Sequence, residues 1–233
     1  MALPKIQQPL FEITVPSTKK KVKYRPFTVK EEKILLIAQE SKDVEQIILA
    51  IKQIIGNCVY DIDVETLAMF DMEYLLVNLR ARSVSDLIEF RIKDPDTEEE
   101  ITLAINVDEI GVKEFEGHSK TIELADDIIL GMKYPQIDQL KELVGEDVNV
   151  NKAKFKIMIG CIDTVVQGEE VYKLSDFTQS EVDDFVEGFT TEHTRKLKKF
   201  FDTMPVMRFE KQYTLKDGTK KTFVAQGTET FFT

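Results

Sequence analysis

The sequence contains few of the residues that enzymes most often use as nucleophiles and bases. Its 233 residues include two histidines, His118 and His193, and two cysteines, Cys58 and Cys161. Neither histidine stands next to a cysteine, and no Gly-x-Ser-x-Gly elbow is present. A nucleophile activated by a neighbouring base is therefore not indicated. We predict that both histidines are surface residues and that the chain is not an enzyme.

Motifs for metal and nucleotide binding are also missing. Two single cysteines give no Cys-x-x-Cys pair, and the His-Glu-x-x-His spacing is absent. Asp61-Ile62-Asp63 and Asp94-Pro95-Asp96 lack the ligand ladder and glycine of a calcium loop, so solvated turn carboxylates explain them better. No glycine-rich phosphate loop opens a helix. The sequence predicts no cofactor, no metal and no small-molecule substrate.

Long apolar runs and excess positive charge are lacking as well. No stretch approaches the ~18 apolar residues of a membrane-spanning helix. The net charge of −11 argues against a nucleic acid or an anionic membrane as partner, since both require clustered Lys and Arg. Two meanings of the acidity stay open: solubility alone, or steering toward a basic partner. Unpaired cysteines in apolar runs and an N-terminus without a signal-peptide pattern favour a reducing cytosol.

Alternating apolar residues predict several strands. Hairpins are predicted where two such runs flank a turn rich in Pro, Asp, Gly or Lys. The last one turns at Asp217-Gly218, a strong hairpin signal. The predicted strand segments are residues 10–15 with 21–24, 87–92 with 101–107, 121–132, and 206–214 with 221–225.

Helices are predicted from capping residues followed by apolar residues at helical spacing. Thr28 with Glu31, and Thr178 with Glu181, have the spacing of a capping box. Asp43 and Asp71 are expected to begin two further helices. The remaining predicted helices are residues 136–144, 151–166 and 191–204.

The two halves of the sequence share an order of elements. Residues 54–58 (IIGNC) correspond to residues 158–161 (MIGC), each after a strand segment and a helix. We therefore predict an α+β fold of two similar lobes, hairpins packed with helices, produced by internal duplication. The predicted divisions are an extended arm at 1–9, lobes at 10–107 and 121–227, a linker at 108–120, and an aromatic tail at 228–233.

Four segments carry a resemblance to a known family. They are YRPFTVKEEKILL at residues 24–36, IGNC at 55–58, FDMEYLLVNLRARSVS at 70–85 and GTETFF at 227–232. The chain resembles the baseplate hub subunits and hub assembly proteins of T-even-like contractile-tailed bacteriophages. The resemblance implies a role in building the baseplate hub without catalysis or a cofactor. It leaves open whether the protein stays in the virion or acts as a transient chaperone.

The residues themselves indicate where partners bind. Phe231 and Phe232 lie in a terminal segment, where they either fold back onto the core or anchor a partner. The edge of the first hairpin, near Phe11 and Ile13, is able to accept a strand from a neighbour. The expected partners are other tail and baseplate hub proteins, and a homo-oligomer stays open.

Overall fold

The fold is α+β in a computed structural model that describes residues 6–144 and 148–226. Within these residues there are eleven strands and six α-helices. Contacts divide the chain into two compact units. Unit 1 contains residues 1–113 and 206–233, and unit 2 contains residues 114–205.

Unit 1 combines three helices with three small antiparallel sheets. Strands β1 and β2 form a hairpin, β3 and β4 form a second one, and β5 joins β10 and β11 in the order β11-β10-β5. Its elements are β1 (Phe11–Thr14), β2 (Lys21–Tyr24), α1 (Val29–Ser41), α2 (Val44–Cys58), α3 (Met69–Ser83), β3 (Leu87–Lys93), β4 (Glu100–Asn106), β5 (Gly111–Lys113), β10 (Val206–Thr214) and β11 (Lys220–Gln226).

Carboxylates connect the hairpin, helix starts and turns of unit 1. Thr28 caps α1 as predicted, and its N–H donates to Glu31 at 2.9 Å. Asp43 caps α2 as predicted. Asp71 was expected to begin α3, but it lies two residues inside the helix and accepts from the Ala68 N–H at 3.1 Å. The same carboxylate accepts from the Ser17 N–H at 2.8 Å, so it ties the first hairpin's turn to α3.

A buried cluster joins α3 to the strands of unit 1. Its fully covered members come from α3, from the turn between β4 and β5, and from β3, β4, β10 and β11, where alternate positions of each strand face inward. They are Val77, Ala81, Ile88, Ile105, Val107, Ile110, Met207, Phe209 and Ala225.

Unit 2 is a four-stranded antiparallel meander with helices. The strand order is β6-β7-β8-β9. Its elements are β6 (Thr121–Ala125), β7 (Ile128–Met132), a 3₁₀ helix (Ile137–Leu143), α4 (Val150–Gly160), β8 (Ile162–Gln167), β9 (Glu170–Lys173), α5 (Gln179–Glu187) and α6 (Thr191–Thr203). The core lies where α4 and α6 meet the sheet, around Leu130, Cys161, Ile162, Leu197 and Phe200.

The predicted helix at 151–166 is wrong in its last six residues. Helix α4 ends at Gly160, and β8 begins at Ile162 and pairs with both β7 and β9. The residues of β8 include Thr164, Val165 and Val166, whose branched side chains favour a strand.

The compact units differ from the predicted lobes 10–107 and 121–227. The closing hairpin β10–β11 belongs to unit 1 because Val206–Arg208 pair with Gly111–Lys113. The segment 108–120, predicted as a linker, contributes β5 to that sheet.

The internal duplication stays a prediction. No helix in the described parts of the chain has the length and apolarity needed to cross a bilayer.

Candidate protein-interaction site

The first hairpin supplies one candidate surface. Strand β1 pairs with β2, and within the described residues no strand covers its other edge. Ile13 is buried, so its side chain belongs to the core. Phe11 is half-buried, and the centroid of its ring lies 5.6 Å from that of Tyr24. The Arg82 guanidinium lies over the Phe11 ring, 5.3 Å from the ring centroid. A partner would therefore meet the backbone of β1 rather than these two side chains. Phe231 and Phe232 lie outside the described residues.

Helix α1 supplies a second surface. The predicted apolar residues Ile34, Leu35 and Ala38 are covered or half-covered, whereas Val29, Leu36 and Ile37 are more than half exposed. Single exposed apolar residues are common on folded proteins, but several adjoining ones indicate an interaction face.

A groove in unit 2 is the most developed surface. It lies between one face of the sheet and α5 and has a volume of about 330 Å³. The sheet contributes Ile128, Val165, Gln167 and Tyr172, the following turn contributes Leu174 and Phe177, and α5 contributes Glu181, Val182 and Phe185. Most of its lining is apolar. Five of these side chains also pack against the buried core of unit 2, so the groove lies next to that core.

Incomplete burial of α5 creates this groove. Of its apolar residues only Val186 is fully buried, while Val182 and Phe185 remain half-exposed. Phe177 is 42% exposed and packs on Tyr172 at 6.2 Å between ring centroids. The sheet face and the helix therefore present apolar surface that the residues of unit 2 leave partly uncovered.

Acidic residues dominate the segment that forms one side of the groove. Residues 169–187 contain seven acidic residues and a single basic residue, Lys173. Glu181 lines the groove, and the N–H of Thr178 donates to its carboxylate at 2.8 Å, which lowers the pKa of Glu181. The Tyr172 hydroxyl donates to Glu170. An apolar floor with an acidic rim fits a ligand that is apolar and positively charged.

The reactive residue types occupy structural positions. Both histidines were predicted to be surface residues, and both are partly buried. His118 contacts Thr203 Oγ1 through Nδ1 at 3.0 Å and Tyr134 Oη through Nε2 at 3.1 Å. Burial and the nearby Lys120 lower the pKa of His118. In the described part of the chain, no three His, Cys, Asp or Glu side chains are grouped as metal ligands.

The two thiols are expected to resist modification in the folded protein. Cys58 and Cys161 are fully buried, and burial raises the pKa of each from 9.0 to about 11. A rise of two units lowers the thiolate fraction at neutral pH by roughly a hundredfold. Titration with Ellman's reagent is expected to find no rapidly reacting thiol in native protein and two in 6 M guanidinium. Rapid release of one equivalent from native protein would show that a cysteine is accessible.

Sequence reasoning missed the groove. Its residues come from β7, β8, β9, the turn and α5, and no single segment carries a recognisable motif. The available signal was the acidic stretch 169–187, in which Tyr172, Phe177, Val182 and Phe185 recur between carboxylates. That spacing indicates that β9 and α5 are amphipathic. It does not indicate that a groove separates α5 from the sheet.

Comparison with known proteins identifies the family. A sequence model described as "T4 bacteriophage base plate protein" matches residues 8–233. Searches of curated proteins and of solved structures found no match. Because the family match spans nearly the whole sequence, the chain belongs to the T4 bacteriophage base plate protein family.

Proposed function

We propose that this baseplate protein acts by binding other proteins during assembly of the baseplate hub, without catalysing a reaction. The family match over residues 8–233 carries this proposal. The groove in unit 2, the exposed face of α1 and the uncovered edge of β1 support it, because each offers a surface that a neighbouring protein can bury. The buried state of Cys58 and Cys161 is consistent with a structural role for both thiols.

Deleting the gene tests the role in assembly. Infection with a phage that lacks it is expected to give heads and tail parts but few complete baseplates by electron microscopy, and expression of the intact chain in trans is expected to restore them. Normal baseplates in the deletion would contradict the proposal.

The runner-up function is that of a transient chaperone for hub proteins. Quantitative mass spectrometry of purified virions separates the two. A subunit is expected at a fixed ratio to other baseplate proteins, whereas a chaperone is expected in infected cells but not in virions.

Truncation of the chain after Gln226 in the infecting phage tests the contribution of Phe231 and Phe232 to partner binding. Unchanged assembly and solubility would show that these two residues are not needed as an anchor.

We also propose that the chain contains an internal duplication, which two matching sets of contacts support. In unit 1 the Arg25 N–H donates to the Cys58 carbonyl at 3.0 Å. In unit 2 the Lys133 N–H donates to the Cys161 carbonyl at 2.8 Å. Each donor follows the second strand of a hairpin, and each acceptor closes a helix.

The helix that follows each hairpin begins alike. Glu31 accepts from the Thr28 N–H, and Gln139 accepts from the Gln136 N–H, both at 2.9 Å. Gln139 also lies 3.8 Å from Cys161 Sγ. In both halves the third residue of the helix therefore accepts from the backbone N–H of the residue before the helix. This third residue is an acid in unit 1 and an amide in unit 2.

A further inference from the structure

We propose that the unit 2 groove binds a short segment of another baseplate protein, in which two or three apolar side chains are flanked by lysine or arginine. The inference rests on the proposed function, because it names the partner chemistry of one surface. Three properties of the groove carry it: its size, its incomplete covering and its charge.

The size fits side chains of a peptide. An apolar cavity of about 150 Å³ holds one benzene ring, so the 330 Å³ groove has room for roughly two such groups. Tyr172, Phe177 and Phe185 provide aromatic walls, and aromatic residues are enriched where partners bury anchors in pockets. Phe177, at 42% exposure, has the most area left to bury.

The rim determines the sign of the partner's charge. Glu181 borders the groove directly, and Glu170 is held beside it by the Tyr172 hydroxyl. On α5, Asp184 lies about 60° around the helix from the groove-lining Glu181, whereas Asp183 lies about 160° from both Glu181 and Phe185, on the side away from the groove. An acidic partner would bring like charges together at an apolar site, which costs affinity and specificity.

Two exposed apolar residues form a matched pair for the test. Phe177 lines the groove. Val171 is 62% exposed but neighbours Tyr172 on β9, so its side chain points to the opposite face of the sheet. Substituting either residue with serine removes an apolar group that is partly exposed, and neither is a member of the buried core. Both variants are therefore expected to fold, which circular dichroism checks.

The probe is a random dodecamer library displayed on filamentous phage and selected against the purified full chain. The expected winners carry Leu, Met or Phe next to Lys or Arg. Synthetic winners are then measured by fluorescence polarisation. Phe177→Ser is expected to weaken binding by about tenfold, whereas Val171→Ser leaves it unchanged. Asp184→Lys is expected to weaken it more than Asp183→Lys, and the difference is expected to shrink in 0.5 M NaCl.

Several results would overturn the inference. They are the selection of acidic peptides, the selection of no peptide, or equal binding by Phe177→Ser and Val171→Ser. A wild-type dimer that Phe177→Ser converts to a monomer in sedimentation would show that a second copy occupies the groove. These measurements use the isolated chain, so their failure leaves the gene-deletion result intact, and failure of the deletion test leaves the peptide binding intact.

Discussion

Glu31→Ala is expected to lower the free energy of unfolding of unit 1 by about 3 kcal/mol at pH 7. The Glu31 side chain is buried. Burial alone would raise its pKa, but the Arg25 guanidinium at 3.1 Å and the Thr28 N–H and hydroxyl lower it from 4.5 to about 2. Alanine also leaves the half-buried Arg25 without this carboxylate. Urea titration followed by far-UV circular dichroism measures the change.

The pH dependence of the same pair has a definite sign. A carboxylate with a lowered pKa in the folded state stabilises the protein above the unfolded value of 4.5 and loses this contribution as the pH falls toward 2. The difference in stability between wild type and Glu31→Ala is therefore expected to be complete at pH 6 and to shrink steadily below pH 4.5.

Two further variants identify the cause of the loss. Glu32→Ala changes the neighbouring, exposed carboxylate and is expected to alter stability by less than about 0.5 kcal/mol. Glu31→Gln keeps an acceptor for the Thr28 N–H, as Gln139 does for Gln136 in unit 2, but removes the ion pair. Its stability is expected to lie between wild type and Glu31→Ala. Equal losses from Glu31→Ala and Glu32→Ala would refute the argument.

Signals contained in a few adjacent residues predicted local structure well. The capping boxes at Thr28 and Thr178 begin α1 and α5, as expected. The Asp217-Gly218 turn closes the last hairpin with Gly218 at φ 88°, a conformation that glycine adopts without strain. Each of these features is decided by contacts within about four residues, so the sequence contains the necessary information at one place.

Long-range pairing escaped the same reasoning. Strand β5 has three residues, and its partner β10 begins at Val206, far along the chain. Nothing near Gly111 indicates this pairing, so the segment resembles a linker and the last hairpin resembles part of the second half. The apolar run after Gly160 is ambiguous for a related reason: a short buried strand and a buried helix share the same lack of alternation.

The candidate site divides in the same way. Sequence patterns located the hairpin edge at β1, because alternation there is local. Binding of a partner near Phe11 and Ile13 stays a prediction, and burial of the Ile13 side chain was not foreseen, since alternation alone does not say which face is covered. The groove escaped detection because it depends on how far α5 lies from the sheet, a distance that the residues of five separate segments decide together.

Asp94 was expected to be a solvated turn carboxylate, and the structure contradicts this. Its side chain is fully buried, and both carboxylate oxygens lie 2.8 Å from Lys221 Nζ. The Tyr213 hydroxyl donates to it at 2.7 Å, and the Thr97 N–H donates at 3.0 Å. The hydrogen bond from Lys221, followed by those from Tyr213 and the turn, lowers the pKa of Asp94 well below its ordinary value. This carboxylate therefore joins the β3–β4 turn to the β10–β11 hairpin within unit 1.

Asp94→Asn is expected to lower the melting temperature of unit 1 on the order of 10 °C, because it leaves Lys221 and Tyr213 facing an amide in a buried place. Asp96→Asn is the matched control, since Asp96 pairs with the same lysine at 2.7 Å but is mostly exposed. It is expected to shift the midpoint by no more than about 2 °C. Thermal melts by circular dichroism at pH 7 compare the two. Equal shifts would mean that burial of the carboxylate contributes nothing, and that the two hairpins are held together by their apolar contacts alone.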